Sequence, residues 1–223
     1  MVTNKMSSKT FDVTDEIIGY FGSAEFLAKE RRRQELMAGL MEKGVPFLSA
    51  TVMAGDLQSA EEASERVKQG MPPEEALHFV GSYTRFDWAV ANLPKEVLFE
   101  RLPALWVGAD PDDTNPEYLK LWREAFITHQ GVIIQDDPKK KLPSRRRFRI
   151  YRGQVGDQVG VSWTLDHEIA RKFAITGGTR QPVAGGKILE LMVTRADVLA
   201  YLTERGESEL IIDVERENVK QQI

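Results

Sequence analysis

Three kinds of side chain in the last third of the chain are spaced so that they could work on one ligand. Arg152 stands in Tyr151-Arg152-Gly153, Ser162 and Thr164 flank Trp163, and Glu207 and Glu209 flank Ser208. A guanidinium presents a planar fork of donors that matches a phosphate or carboxylate. Two neighbouring carboxylates repel, which favours a proton on one of them and suits it to general-base work. A cation, hydroxyls and carboxylates together are the contents of a site for an anionic substrate. Each also has a plainer use: Arg152 can pair with a carboxylate at a strand end, and Glu207-Ser208-Glu209 can be an exposed acidic turn before a buried strand.

These groups need strands to hold them. Residues 147–164 read as two short buried strands around a turn, because β-branched and aromatic residues are bounded by Gly156 and Gly160. Neighbours on a strand point to opposite faces, so Trp163 should pack into the core while Ser162 and Thr164 share the other side. By the same alternation Glu207 and Glu209 address one cleft if the backbone between them is extended. Asp166 can cap a helix from His167 to Ala174, with Ile169, Ala170 and Phe173 inward. Residues 175–186, rich in glycine, read as a loop suited to a lid. Lys187 to Val193 alternates as a strand, Ala196 to Leu202 reads as a short helix, and Glu209 to Val214 as a final buried strand.

The preceding half is helical in grammar. Ser23 can cap a helix to about Met41, with Phe26, Leu27, Leu36, Leu40 and Met41 as its apolar stripe. Arg31 to Arg33 on that helix read as a solvated face balanced by Glu25, Glu30 and Glu35. Ser59-x-x-Glu62 has capping-box spacing and predicts a helix start after an ambiguous apolar stretch at 47–54. Pro72 and Pro73 open another helix, Pro94 a further one that Pro103 should stop, and Asn115-Pro116 combines an N-cap with proline at the first helical position. Trp88, Trp106 and Trp122 read as core or interface anchors. Residues 135–147, with Pro138, Pro143 and a run of basic side chains, break the composition and read as an exposed linker. The layout expected is therefore a mainly helical region over 1–134, a basic linker over 135–147 and a β-rich region over 148–223.

Composition narrows the function classes. The chain has 223 residues, 42% of them hydrophobic, a formal charge of −4 and no cysteine. That is enough apolar material for one sizeable core. It excludes Cys-ligated metal, disulfides and a Cys nucleophile. The acidic balance argues against general attraction to nucleic acid, although the basic stretch 139–149 keeps a nucleic-acid contact open beside the solvated-linker reading. No apolar run approaches ~20 residues and the first residues lack a signal-peptide core, so a cytoplasmic location is the expectation and no membrane partner is.

In order and in placement, Tyr151-Arg152-Gly153, then Ser162-Trp163-Thr164 with Asp166 and the helix ending Lys172-Phe173-Ala174, then Glu207-Ser208-Glu209, resemble the Arg, Ser-Thr-Ser and Glu-x-Glu motifs of bacterial and phage mono-ADP-ribosyltransferases. The resemblance covers about residues 147–214. It implies an α+β fold, a helical N-terminal region packed on a small split, antiparallel-rich sheet that binds NAD, with no metal required. It implies transfer of ADP-ribose from NAD to a protein arginine with release of nicotinamide. Arg152 would clamp the diphosphate, with Tyr151 and Gly153 beside it. Glu209 would stabilise the oxocarbenium-like ribose as the nicotinamide bond breaks. Glu207 would orient or deprotonate the acceptor guanidinium, and Ser162 would brace Glu209. Thr164 takes the supporting position, Phe173 the nicotinamide wall when it is not simply core, and Arg180 in the loop is a phosphate contact. Trp163 replaces the commoner Thr. Only nine residues separate Arg152 from Ser162, where better-known toxins place helices, so a cleft wall must come from the helical part. Nucleic acid as acceptor, hydrolysis of NAD by water and an inactive NAD- or partner-binding module are the other readings; oligomeric state, target and biological role, whether phage takeover, toxin or effector, stay open.

Overall fold

The computed structural model describes residues 23–109, 111–135, 141–177, 184–204, 208–216 and 219. Among them the chain is α+β, with seven α-helices and a six-stranded mixed sheet. The contacts group residues into two units, Met1–Trp88 and Ala89–Ile223.

The first unit is built on a helical hairpin. Helix α1, Ala24–Glu42, begins where Ser23 accepts a hydrogen bond from the Phe26 amide at 3.1 Å, the predicted cap. No residue of α1 is buried, and Leu27 and Met41 of the expected stripe are exposed. Its partner α2 runs unbroken over Phe47–Lys68. Ser59 is therefore mid-helix and caps nothing: its hydroxyl donates to the Asp56 carbonyl at 2.7 Å. Pro46 starts this helix, and with no proline after it the apolar stretch at 47–54 simply continues as its first turns. Helix α3, Pro73–Ala76, and a 3-10 turn at Leu77–Phe79 follow.

Helix α4, Arg85–Asn92, crosses from one unit to the next. Helix α5, Lys95–Ala109, passes straight through Pro103, which the sequence takes as a stop. Proline removes one helical N–H, but Leu102, Leu105 and Trp106 on either side are buried, and their burial offsets the loss. Helix α6, Pro116–Thr128, starts as predicted, with Asn115 Oδ1 accepting from the Glu117 amide at 3.0 Å.

The strands are β1 Ile133–Ile134, β2 Phe148–Val155, β3 Ser162–Thr164, β4 Gly186–Val193, β5 Val198–Leu202 and β6 Glu209–Ile212. They join in the order β1-β5-β6-β3-β2-β4, antiparallel except for the β1–β5 pair. Among the described residues the pairing joins all six strands in one sheet, with a register shift in the β5–β6 pair between Val198 and Ala200. Residues 198–202, expected as helix, form a central strand buried on both faces. A strand flanked on both sides and covered on both faces is apolar throughout and so has no alternation to betray it. Trp163, Ile150, Leu191, Leu210 and Ile212 are fully buried in the sheet's main apolar cluster. The basic segment, where described, has no regular structure: Arg145, Arg146 and Arg147 are exposed while Leu142 is drawn into the core.

Helix α7, His167–Thr176, is capped by Asp166 through the Glu168 and Ile169 amides and ended by Gly177 in a left-handed conformation. It lies directly on bare sheet backbone. A Cβ on Gly153 would stand 1.8 Å from the Ala170 carbonyl oxygen, and one on Gly186 1.6 Å from that of Ala174, so glycine is required at both places.

Candidate active site

Register brings Tyr151, Ser162, Thr164 and Glu209 to one face. Thr164 lies opposite Tyr151 on β2 and opposite Glu209 on β6, and residues opposite one another project from the same side of a sheet. Ser162, two positions from Thr164, shares that side. Trp163 and Leu210, themselves paired, turn the other way into the core, as the alternation requires.

Tyr151, Arg152, Gly153, Ser162, Thr164, Phe173 and Glu209 all line one cleft of about 430 Å³. That volume is of the size of a small-molecule site. Ile169 and Phe173 of α7 form an apolar side, and both are half-buried. At one edge the Tyr151 ring meets His167 edge-on, with centroids 5.0 Å apart.

Glu209 opens β6, and its Oε1 accepts from the Ser162 hydroxyl at 2.5 Å and from the Trp106 indole N–H at 3.0 Å. The predicted brace between serine and carboxylate is thus present, joined by a donor that the sequence did not single out. Thr164 has its hydroxyl accepting from the Asp166 amide at 3.1 Å, which ties β3 to the start of α7. Just before Glu209, Ser208 adopts φ 49°, and its carbonyl accepts from the Leu165 amide. Ser208 is left-handed, not extended, so the two-apart rule expected to carry Glu207 to the same face does not apply. Glu207 itself lies outside the described residues, as do Arg180 and half of the glycine-rich loop; the ends of that loop fall in α7 and β4.

Arg152 makes its two-pronged contact with the protein itself. Its Nη1 and Nη2 donate to the two oxygens of Asp113 at 2.5 and 3.0 Å, Nη1 also to the Ser162 carbonyl at 2.7 Å, and Nε to Gln154 Oε1 at 2.9 Å. Four of the five guanidinium donors are engaged this way. Asp113 in turn accepts from the Ser162 amide at 3.0 Å, and its carbonyl accepts from the Val161 amide at 3.0 Å. Gly160 makes room for it, since a Cβ there would stand 2.4 Å from the carboxylate. The pair is largely withdrawn from water, with side-chain exposures of 12% and 18%.

Asp113 and Trp106 are the two site residues that the sequence did not mark. Both come from the segment around the end of α5, which with Val107, Pro111 and Thr114 supplies the cleft wall sought in the helical part. Trp106 stood out only as an aromatic, and Asp113 only as one acid in Asp112-Asp113-Thr114. Outside the cleft lining, Lys187 holds the Asp157 carboxyl below its usual range through a 2.7 Å hydrogen bond, and Arg171 does the same for Glu168. Both carboxylates are exposed.

Chemically, the arrangement offers a carboxylate fixed by two donors in a half-enclosed cleft and a guanidinium locked beside it. Such a carboxylate can stabilise a cationic centre without reorganising. Among the described residues no group of three or more His, Asp or Glu side chains is arranged to hold a metal ion, and no helix is long and apolar enough to cross a membrane. No family model matches the chain, and no curated protein or solved structure matches it.

Proposed function

We propose that this cleft is the active site of an ADP-ribosyltransferase that moves ADP-ribose from NAD to an arginine side chain of a target protein and releases nicotinamide. The observation that carries the reading is the Ser162–Glu209 hydrogen bond inside a cleft that Arg152 also lines. In this reading the C–N bond between ribose and nicotinamide breaks with its electron pair leaving on nicotinamide. The Glu209 carboxylate faces the positive charge that develops on the sugar. The acceptor guanidinium nitrogen then bonds to the anomeric carbon and gives up a proton, for which Glu207 is the base. Arg152 offers the diphosphate the donor that Asp113 and its other partners leave, while Ile169 and Phe173 give a flat group an apolar wall. The fold in this reading is of the ADP-ribosyltransferase type.

The test is nicotinamide release from labelled NAD in the presence of a bacterial lysate, with label followed separately on protein and on nucleic acid. Glu209→Gln keeps an acceptor for Ser162 and Trp106 and should fold normally, while nicotinamide release falls by about 10²–10³-fold. Glu207→Gln should abolish transfer to arginine and spare some hydrolysis. Equal release from wild type and the Glu209 variant would refute the assignment. Label on nucleic acid would replace the acceptor, and nicotinamide without labelled macromolecule would make the protein an NAD hydrolase.

A further inference from the structure

Trp106 is buried, at 3% exposure, in an aromatic group where its ring meets Tyr118 and Trp122 edge-on at centroid distances of 6.0 and 5.5 Å. Packing alone would account for a tryptophan here. Its polar edge has a second use, because the indole N–H donates to Glu209 Oε1 at 3.0 Å, across 103 residues of sequence. The same oxygen takes the Ser162 hydroxyl at 2.5 Å. A carboxylate held on one oxygen by a hydroxyl alone can swing about that contact. Two donors arriving from different elements, one on strand β3 and one on helix α5, remove that freedom. The indole is also the stiffer of the two, since its ring is clamped by two others and has no rotor comparable to a hydroxyl.

We infer that Trp106 is a positioning residue for Glu209, fixing the plane in which the carboxylate meets its ligand. The inference rests on the transferase reading only for its effect on turnover; the hydrogen bond itself can be tested without any reaction. A donor of this kind acts on a group whose orientation matters in the transition state more than in the bound complex, so its loss falls on kcat and leaves KM nearly unchanged.

The experiment uses the full chain with its tryptophans labelled with nitrogen-15, as wild type, Glu209→Gln and Trp106→Phe. The phenylalanine variant keeps a ring against Tyr118 and Trp122 and removes the N–H together with the smaller ring of the indole. The indole resonance that disappears in Trp106→Phe is that of Trp106, and in Glu209→Gln it should move upfield as a charged acceptor becomes neutral. In nicotinamide release, Trp106→Phe should lower kcat about tenfold, or about 1.4 kcal/mol, with KM for NAD within about twofold. A Trp106 resonance indifferent to Glu209→Gln would overturn the hydrogen bond. Unchanged kcat, or a loss confined to KM, would overturn the positioning role. Should Trp106→Phe fold poorly, Trp106→Met, which also lacks a donor, carries the same comparison. A wild-type protein that leaves NAD intact would refute the transferase reading and the turnover effect with it, while the indole signature would still decide the contact.

Discussion

The helical hairpin of the first unit and the sheet of the second use polar groups in opposite ways. Between α1 and α2, Arg32 bonds Glu61 at 2.6 Å and Lys29 reaches Glu62 at 3.5 Å, with all four side chains 37% exposed or more. Such pairs are interchangeable and weak, because water competes for both partners. On the sheet, Arg152, Asp113 and Gln154 are largely withdrawn from water, and each is matched donor to acceptor. Holding ionised groups there costs desolvation energy, which the dense pairing around Arg152 offsets. The lesson is that charge marks a surface when exposed and a site when buried. Nothing in the residue types alone separates Arg32 from Arg152.

The strongest challenge to this contrast is at the seat of α7. Gly153→Val should destabilise the second unit by about 4 kcal/mol or more, since its side chain would enter the Ala170 carbonyl. Urea denaturation followed by tryptophan fluorescence would measure it, and a loss below about 1 kcal/mol would show that α7 is not seated on β2. Next comes Asp113→Ala, which leaves the Arg152 guanidinium without its carboxylate. We expect a loss of about 2–3 kcal/mol, reduced from the value for a fully buried pair because both side chains keep some exposure. Nicotinamide release should fall with it, because Arg152 and the Ser162 amide lose a common anchor. Unchanged stability would place this pair with those of the hairpin.

The smallest effect belongs to Arg32→Ala, which should lower the melting temperature near neutral pH only slightly. That small difference should vanish in acid. Arg32 holds the Glu61 carboxyl below its ordinary value of 4.5. A depressed carboxyl contributes stability above its unfolded value, and that contribution disappears as pH falls through the folded value. Wild type should therefore lose a little more stability than Arg32→Ala below about pH 4.5. Identical acid profiles would mean that the pair contributes nothing.

What could be read from sequence depended on the range of the signal. Ser23, Asn115 and Asp166 cap the helices expected of them, because a cap is satisfied by amides two or three residues away. Trp163 is buried as strand alternation demands, and Ser162 meets Glu209 as the resemblance implies. Local signals also misled. Ser59 has the spacing of a cap but sits inside a helix already running, and Pro103 fails to end α5 because buried neighbours on both sides outweigh its missing donor. Residues 198–202 are a strand only because β1 and β6 flank them. Asp113 finds Arg152 39 residues away, and no pattern of neighbours announces such a partner. The bond from Trp106 to Glu209 depends on the same missed continuity past Pro103, so an error about one helix end concealed a member of the site.

The position of Trp163 carries a consequence for assembly. Strand β3 has three residues, with the large indole flanked by two hydroxyls. A slip of one place against either neighbour would send Trp163 into water and press Ser162 and Thr164 into the interior. Misassembly here and loss of the site's hydroxyls are therefore a single event. The core tryptophan works as a key cut for one lock: a chain that has found its most favourable interior has, by the same step, inspected its own working surface.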